Sequence, residues 1–219
     1  MIIVAIETCG EACSTALLID DELRERHVDA PQRHTELVLA DLETLRAEAA
    51  IKWSQIDAVA FGAGPGAFTG VRIAASVAHG LALACEVPLL PVSSLAGLAQ
   101  GAWRMTGIAV QIALLDARRS EVYVGEYRFD HALGIVCAAR PDSLAPPVQI
   151  TVPRSPWVAV GRGWDVYAAL LQAKLAATTL ATLAFPHAGD IATLAAFDLR
   201  AGRGQASHTA LPRYLRPPV

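Results

Sequence analysis

The sequence predicts an α/β fold with a duplicated layout, on three observations. Strand and helix signals alternate along the chain, and a strand ending in a carboxylate followed by two further strands occurs twice. A glycine-rich loop also runs directly into a nearly uncharged helix. At 219 residues the chain is long enough to bury a proper core, and length alone allows one domain or two small ones. The formal net charge of −3 gives no global field to draw in nucleic acid, so a nucleic-acid role is expected to be indirect or local.

The first strand is Ile2 to Ile6, ending at Glu7 and Thr8; Cys13 to Asp20 returns after a turn at Gly10, and Leu23 to Val28 follows the turn at Asp20 and Asp21. A carboxylate at a strand end, facing the hydroxyls of Thr8, Ser14 and Thr15, has the layout of a phosphate and magnesium site in the actin, sugar kinase and Hsp70 type of fold. The spacing alone does not establish that, and the reading preferred from it is an ordinary hairpin turn with capping hydroxyls. Pro31 breaks the third strand, and Thr35 to Ala50 is a predicted helix. Val38, Leu42, Leu45 and Ala49 form its core stripe, whereas Leu37, Leu39 and Ala47 lie off it and leave apolar surface to spare. His34 precedes this helix, but Val38 stands four residues on, where a second metal ligand would be needed.

Ala58 to Phe61 is the next strand, punctuated by Gly62, Gly64, Pro65 and Gly66, with Thr69 and Gly70 at the entry to the helix and Thr69 its expected cap. Such a loop can hold an anion on backbone N–H groups. Ala67 and Phe68 stand where a Walker loop needs its Lys and hydroxyl residue, and no ribose-binding carboxylate follows the strand Leu89 to Val92. A structural turn and a loop that touches a ligand or partner both remain open. From Val71 to Cys85 only Arg72 is charged, and the many small residues admit another backbone on more than one side. A helix apolar all round has to be covered all round, by its own sheet, by a partner, or by both. A membrane span is not expected, because Arg72, His79 and Gly80 interrupt a run shorter than the roughly 20 apolar residues a bilayer needs.

Ser93 or Ser94 is the expected cap of a helix from Leu95 to Met105, and Thr106 and Gly107 mark a junction between halves. In the second half Ile108 to Leu115 is a strand ending at Asp116, followed by strands Glu121 to Phe129 and Ile135 to Ala139. The proline-rich stretch from Pro141 to Pro156 is read as a surface loop. Trp157 to Val160 is a strand entering Gly161 and Gly163, with helices predicted from Asp165 to Leu175 and from Asp190 to Leu199 or Arg200. The tail LPRYLRPPV is expected to pack back on the body or to reach a partner. Cys9, Cys13, Cys85 and Cys137 lack the second pair that zinc-finger spacing requires and read as reduced thiols. No metal is expected. The N-terminus runs straight into a strand without a basic stretch, so a cytoplasmic location is expected.

The ordered set GPGAFTGVRIA, HGLAL, PVSSL, HTELVL, LLDARRSEVYVGEY, VGRGW and the terminal YLR resembles the TsaB family, also called YeaZ, over essentially the whole chain. That family is the dimerisation subunit of the bacterial machinery that makes threonylcarbamoyladenosine in tRNA. The resemblance implies a two-lobed fold of the actin, sugar kinase and Hsp70 class with duplicated mixed-sheet lobes, the second reduced. The lobes are expected at 1–105 and 106–219, the last segment packing back on the first. It implies pairing with the related catalytic subunit TsaD through the two helices of the first lobe, with TsaE joining as an ATPase, tRNA contacted indirectly, and self-pairing when the chain is alone. On these helices the expected contact residues are Leu37, Leu39, Leu42, Arg72, Ile73, Ala75, Ser76, His79, Gly80 and Leu83. The catalytic relatives carry an H-x-x-x-H metal pair where this chain has HTELV, so no chemistry of its own is expected.

Glu7 departs from the Asp that family members commonly carry at the end of the first strand. A vestigial nucleotide or phosphate site would comprise Glu7, Thr8, Ser14, Asp116, Gly161 and Gly163, with ATP or ADP bound only in the complex. The competing reading is a nucleotide-dependent enzyme of the same fold acting on its own, with Glu7, Thr8, Asp116 and the Gly161 and Gly163 turn around a phosphate. A peptidase is not expected, since the sequence offers no metal pair and no recognisable Ser, His and Asp order.

Overall fold

The computed structural model describes residues 1–174, 179–206 and 209–216. Leu175, the predicted end of one helix, and residues 217–219 of the tail lie outside the described residues. In chain order the first elements are β1 (Ile2–Glu7), β2 (Ala12–Ile19), β3 (Glu22–Asp29), α1 (His34–Glu48), β4 (Ala58–Gly62), α2 (Phe68–Cys85), β5 (Leu89–Val92) and α3 (Ser94–Thr106). Then follow β6 (Val110–Asp116), β7 (Val122–Asp130), β8 (Ile135–Ala138), β9 (Ser143–Ala145), β10 (Val158–Val160), α4 (Arg162–Val166), α5 (Ala168–Lys174), β11 (Thr179–Leu180) and α6 (Ala188–Arg200).

Residues Met1–Ser94 and His187–Arg213 form one compact unit, and Leu95–Pro186 with Tyr214–Val219 the other. The first unit holds a sheet in the order β3-β2-β1-β4-β5, with β1, β2 and β3 antiparallel and β4 and β5 parallel to β1. Alternation along the strands separates its two faces. Val4, Ile6, Cys13, Leu17, Val59 and Phe61 join Val38, Leu42 and Leu45 of α1 and Ala74, Ala78 and Ala82 of α2 in one core. The neighbouring residue Ser14 points the other way and meets the start of α6, which packs across β1, β2 and β4.

The second unit repeats the pattern, with a sheet in the order β11-β10-β6-β7-β8. β6, β7 and β8 are antiparallel, and β10 and β11 run parallel to β6. Its core gathers Val110, Ile112, Leu114, Val122, Trp157 and Trp164. Two mixed sheets with the same order and the same switch from antiparallel to parallel are the duplicated topology of the actin, sugar kinase and Hsp70 class.

Local differences have physical causes. The stretch read as a loop from 141 to 156 carries β9, which pairs antiparallel with β7, and a 3-10 turn at Pro147–Gln149. The helix predicted from Asp165 starts earlier, with Gly161 at φ 100° as its N-cap, and divides into α4 and α5 at Tyr167. Thr69 does not cap α2. The cap position is Ala67, whose N–H is already held by the Cys9 carbonyl at 2.7 Å, and Thr69 sits exposed inside the first turn. Ser94 is the first residue of α3, and its hydroxyl donates to Glu7 Oε2 at 2.7 Å.

Candidate functional site

The α1–α2 layer exposes large apolar side chains of the first unit, Leu39, Phe68 and Leu83 among them. α2 turns Ala74, Ala75, Ala78 and Ala82 inward onto the sheet, and only 33% of its 18 residues are buried. The arc it presents outward holds Phe68, Arg72, Ser76, Gly80 and Leu83 at helical spacing, flanked by half-buried Ile73, Val77 and His79. Leu83 is 71% exposed, Phe68 58%, and Leu39 on α1 56%. A Cβ added at Gly80 would meet nothing within 4 Å, so the free chain leaves open space there. The guanidinium of Arg72 lies 3.6 Å from the centre of the Phe68 ring, which presents a flat cation–aromatic pair on this arc.

Of the ten contact residues expected from the sequence, Arg72, Ser76, Gly80, Leu39 and Leu83 are exposed and Leu37, Ile73 and His79 half-buried. Leu42 and Ala75 are not surface residues: they are 2% and 6% exposed and belong to the core of their own unit. Phe68 escaped the sequence reading because it was counted with the loop rather than with the helix it opens. By length and composition alone α2 also passes as a membrane span, against the expectation that the run is too short. Its inner arc is nonetheless pinned along β4 and β1, which makes it a layer helix of this unit.

The strand-end carboxylate is turned inward. Glu7 is buried, with Oε1 accepting from the Cys9 N–H at 2.6 Å and Oε2 from the Ser94 hydroxyl at 2.7 Å. Burial pushes its carboxyl up, against the downward pull of those two donors. A Cβ on Gly62 would stand 1.9 Å from Glu7 Oε2, so the glycine is what lets the carboxylate fold back over β4. The Thr8 hydroxyl donates to the Gly70 carbonyl at 2.7 Å, and Ser14 bridges Glu25 and the Ala188 N–H. The loop itself is backbone packed on backbone. Gly66 lies against Cys9, Gly70 against the Thr8 carbonyl, and Gly64, at φ 88°, against the Arg213 carbonyl; the Gly64–Pro65 peptide is cis.

In the second unit Asp116 accepts from the Arg118 N–H at 2.9 Å, pairs with its guanidinium at 3.1 Å, and receives the Tyr167 hydroxyl at 3.3 Å. Gly161 and Gly163 press onto the Leu114 backbone, leaving a cavity of about 70 Å³ beside Trp164 and Asp165. Arg216 of the tail pairs with Glu121 at 2.8 Å and donates to the Ala117 carbonyl. The expected phosphate residues therefore fall into separate groups, Glu7, Thr8 and Ser14 in one unit and Asp116, Gly161 and Gly163 in the other. Each polar side chain among them has an internal partner. His34 bonds the Gly10 carbonyl at 3.1 Å, and Val38 beside it is fully buried.

A cluster that no local spacing announces lies between β3 and α6. Glu25 bonds the His187 ring at 2.9 Å and the Gly189 N–H at 2.8 Å, and the rings of His27 and His187 stack 3.8 Å apart at 5°.

Comparison with known proteins fits this geometry. Residues 28–219 match the family model described as TsaD, tRNA N6-adenosine threonylcarbamoyltransferase. The tRNA threonylcarbamoyladenosine biosynthesis protein TsaB of Escherichia coli K12 is 36% identical over 221 residues, 99% of this chain and 95% of that protein. The protein of the same name from Haemophilus influenzae is 39% identical over 124 residues, 57% of this chain and 52% of that protein. Among solved structures, YeaZ from Pseudomonas aeruginosa superposes with a TM-score of 0.92 at 39% identity, over 98% of this chain and 99% of its own. On a full-length relative at 36% identity and a shared fold along nearly the entire chain, this protein belongs to the TsaB (YeaZ) family of tRNA threonylcarbamoyladenosine biosynthesis.

Proposed function

We propose that this chain is a non-catalytic scaffold subunit whose α1–α2 face binds and activates the TsaD transferase for threonylcarbamoylation of tRNA adenosine next to the anticodon. The observation that carries the reading is the exposed apolar arc of α2, with Phe68, Arg72 and Leu83 standing out beside the open space at Gly80. Aromatic, Arg and aliphatic anchors around small residues are the composition of an interface core. Leu37, Leu39, Arg72, Ile73, Ser76, His79, Gly80 and Leu83 are the contact residues on this reading. The same face pairs two copies when the chain is alone, TsaE joins the complex as the ATPase, and tRNA is met through the assembled complex. The four free cysteines suit the reducing cytoplasm.

A chain without chemistry of its own is supported by two features. Val38 fills the position where the catalytic relatives' second metal ligand would stand, and the side chains of Glu7, Thr8, Ser14 and Asp116 are engaged internally.

The test is light scattering on the purified chain, alone and mixed with TsaD, for wild type and Gly80→Trp. The wild type should form a homodimer that exchanges into a one-to-one complex. Gly80→Trp should keep its circular dichroism and lose both associations, because the indole fills the open space at the centre of the face. A folded Gly80→Trp that still binds TsaD and supports modification would overturn the reading.

A further inference from the structure

The start of α6 is not capped by its own residues. His187 at the N-cap makes no side-chain cap bond. The first-turn N–H groups are instead supplied from the sheet: Ala188 donates to the Ser14 hydroxyl at 2.8 Å, Ser14 donates to Glu25 at 3.0 Å, and Gly189 donates to the same Glu25 oxygen at 2.8 Å. The other Glu25 oxygen holds the His187 ring at 2.9 Å. A carboxylate at a helix N-terminus is favourable both as an acceptor and against the helix dipole. His187 is also the residue at which the chain re-enters the first unit, so these bonds fasten the whole returning segment, His187–Arg213, at its beginning.

The weak point of this fastening is the neighbouring ring. His27 stacks on His187 at 3.8 Å and 5°, and its Nδ1 is buried without a hydrogen-bond partner. A proton added to His27 would sit over a second imidazole, on a nitrogen with no acceptor. Burial and then the charge of His187 hold the His27 imidazole below its ordinary value, against the opposing pull of Glu25 and Asp29 on its own strand. Other charged groups on elements packed against the cluster include Asp190, buried on the first turn of α6, Asp198 and Arg200 near its end, Arg24 and Arg26 on β3, and Glu7, buried on β1; the adjoining β2 residue is the neutral Ser14.

We propose that the His27–His187 stack and Glu25 form a proton-sensitive latch, which closes α6 onto the sheet at neutral pH and releases it as the solution is acidified. With His27 neutral the rings stack and leave Glu25 to hold both His187 and the helix start. A proton on His27 lies against the His187 ring with no acceptor at the buried Nδ1, and relief comes from lifting α6 away from β3, where the His27 imidazolium regains water. This is opening of one cooperative segment, with α1, α2 and the strands left in place.

Hydrogen exchange on the full chain between pH 5 and pH 8, corrected for the intrinsic rate, tests the latch by comparing α6 peptides with β4 peptides. The opening of α6 should rise as pH falls below about 6.5, by up to about tenfold per pH unit for each extra proton bound in the open form, while β4 stays protected. His27→Phe keeps a flat ring on His187 and should flatten that slope. Parallel loss of protection in α6 and β4, a flat α6 profile, or an unchanged slope in folded His27→Phe would each overturn the latch. If His27→Phe does not fold, the wild-type comparison of the two peptides still decides.

Discussion

Glu7 illustrates how one residue settles the character of a strand end. Its two oxygens are occupied by the Cys9 N–H and the Ser94 hydroxyl, and its removal would strand both inside the unit. Glu7→Ala should therefore cost about 2 to 4 kcal/mol in urea denaturation, from a cavity and unpaired polar groups together. Glu7→Gln should stay within about 1 kcal/mol of wild type at neutral pH, since it keeps the shape and removes a buried charge, and Ser94 can turn to bond the amide. The carboxylate at the end of β1 is legible in the sequence. Its partners are not, because Ser94 lies 87 residues away and the glycine that makes room for it sits on a neighbouring strand. Thr69 shows the converse failure. A hydroxyl at the right offset from a predicted helix reads as a cap, yet the Cys9 carbonyl had already fixed the loop and started the helix earlier.

At the level of elements, the exposed arc of α2 has an energetic signature that can be read without a partner. Gly80 is a helix-interior glycine with open space around it, so Gly80→Ala should raise the stability of the free chain by about 1 kcal/mol in chemical denaturation. On an exposed helix this glycine is a cost to the free chain, which the proposed close approach of a partner at α2 would offset. The strands and the long helices were legible from period and punctuation, since Gly, Pro and Asp residues bound most of them. β5 falls on Leu89–Val92 as its apolar run predicts. The division between α4 and α5 was not, because it falls at Tyr167, with neither Gly nor Pro to mark it; the Tyr167 hydroxyl reaches Asp116, fifty-one residues upstream. β9 was hidden in a proline-rich stretch that pairs with a strand some twenty residues upstream.

For the whole molecule, titrating groups set an acid and an alkaline limit. Burial raises the Glu25 carboxyl, but His187, the Gly189 N–H and Ser14 together outweigh it and hold it at about 2. That contribution, about 3 kcal/mol, is present above pH 4.5 and is lost as pH falls toward 2. His27, held down, adds a loss in the same direction that begins below about 6.5. Glu7, held up, opposes them, since its contribution is fullest in acid and declines as pH rises through its folded value. On the alkaline side burial, helped by the charge of Asp41, pushes the Cys13 thiol up to about 12, so stability should fall as unfolded thiols ionise above pH 9. Thermal denaturation from pH 3 to 11 should accordingly give a plateau between about 6.5 and 8.5, with both limbs descending; a maximum below pH 5 would contradict the assignment. None of this was legible in the sequence, because His27, Glu25 and His187 meet only after a separation of 162 residues from Glu25 to the ring.

The first unit is assembled from two stretches of chain, with the second unit threaded between them. On a ribosome, β1 to β5 and their outer helices emerge long before residues 187–213, so the inner face of that sheet stays bare while ninety-two intervening residues are made. The final stretch of synthesis, rather than the first, completes the lobe, and a nascent chain stalled before His187 would present an uncovered apolar sheet to the chaperones that wait for one.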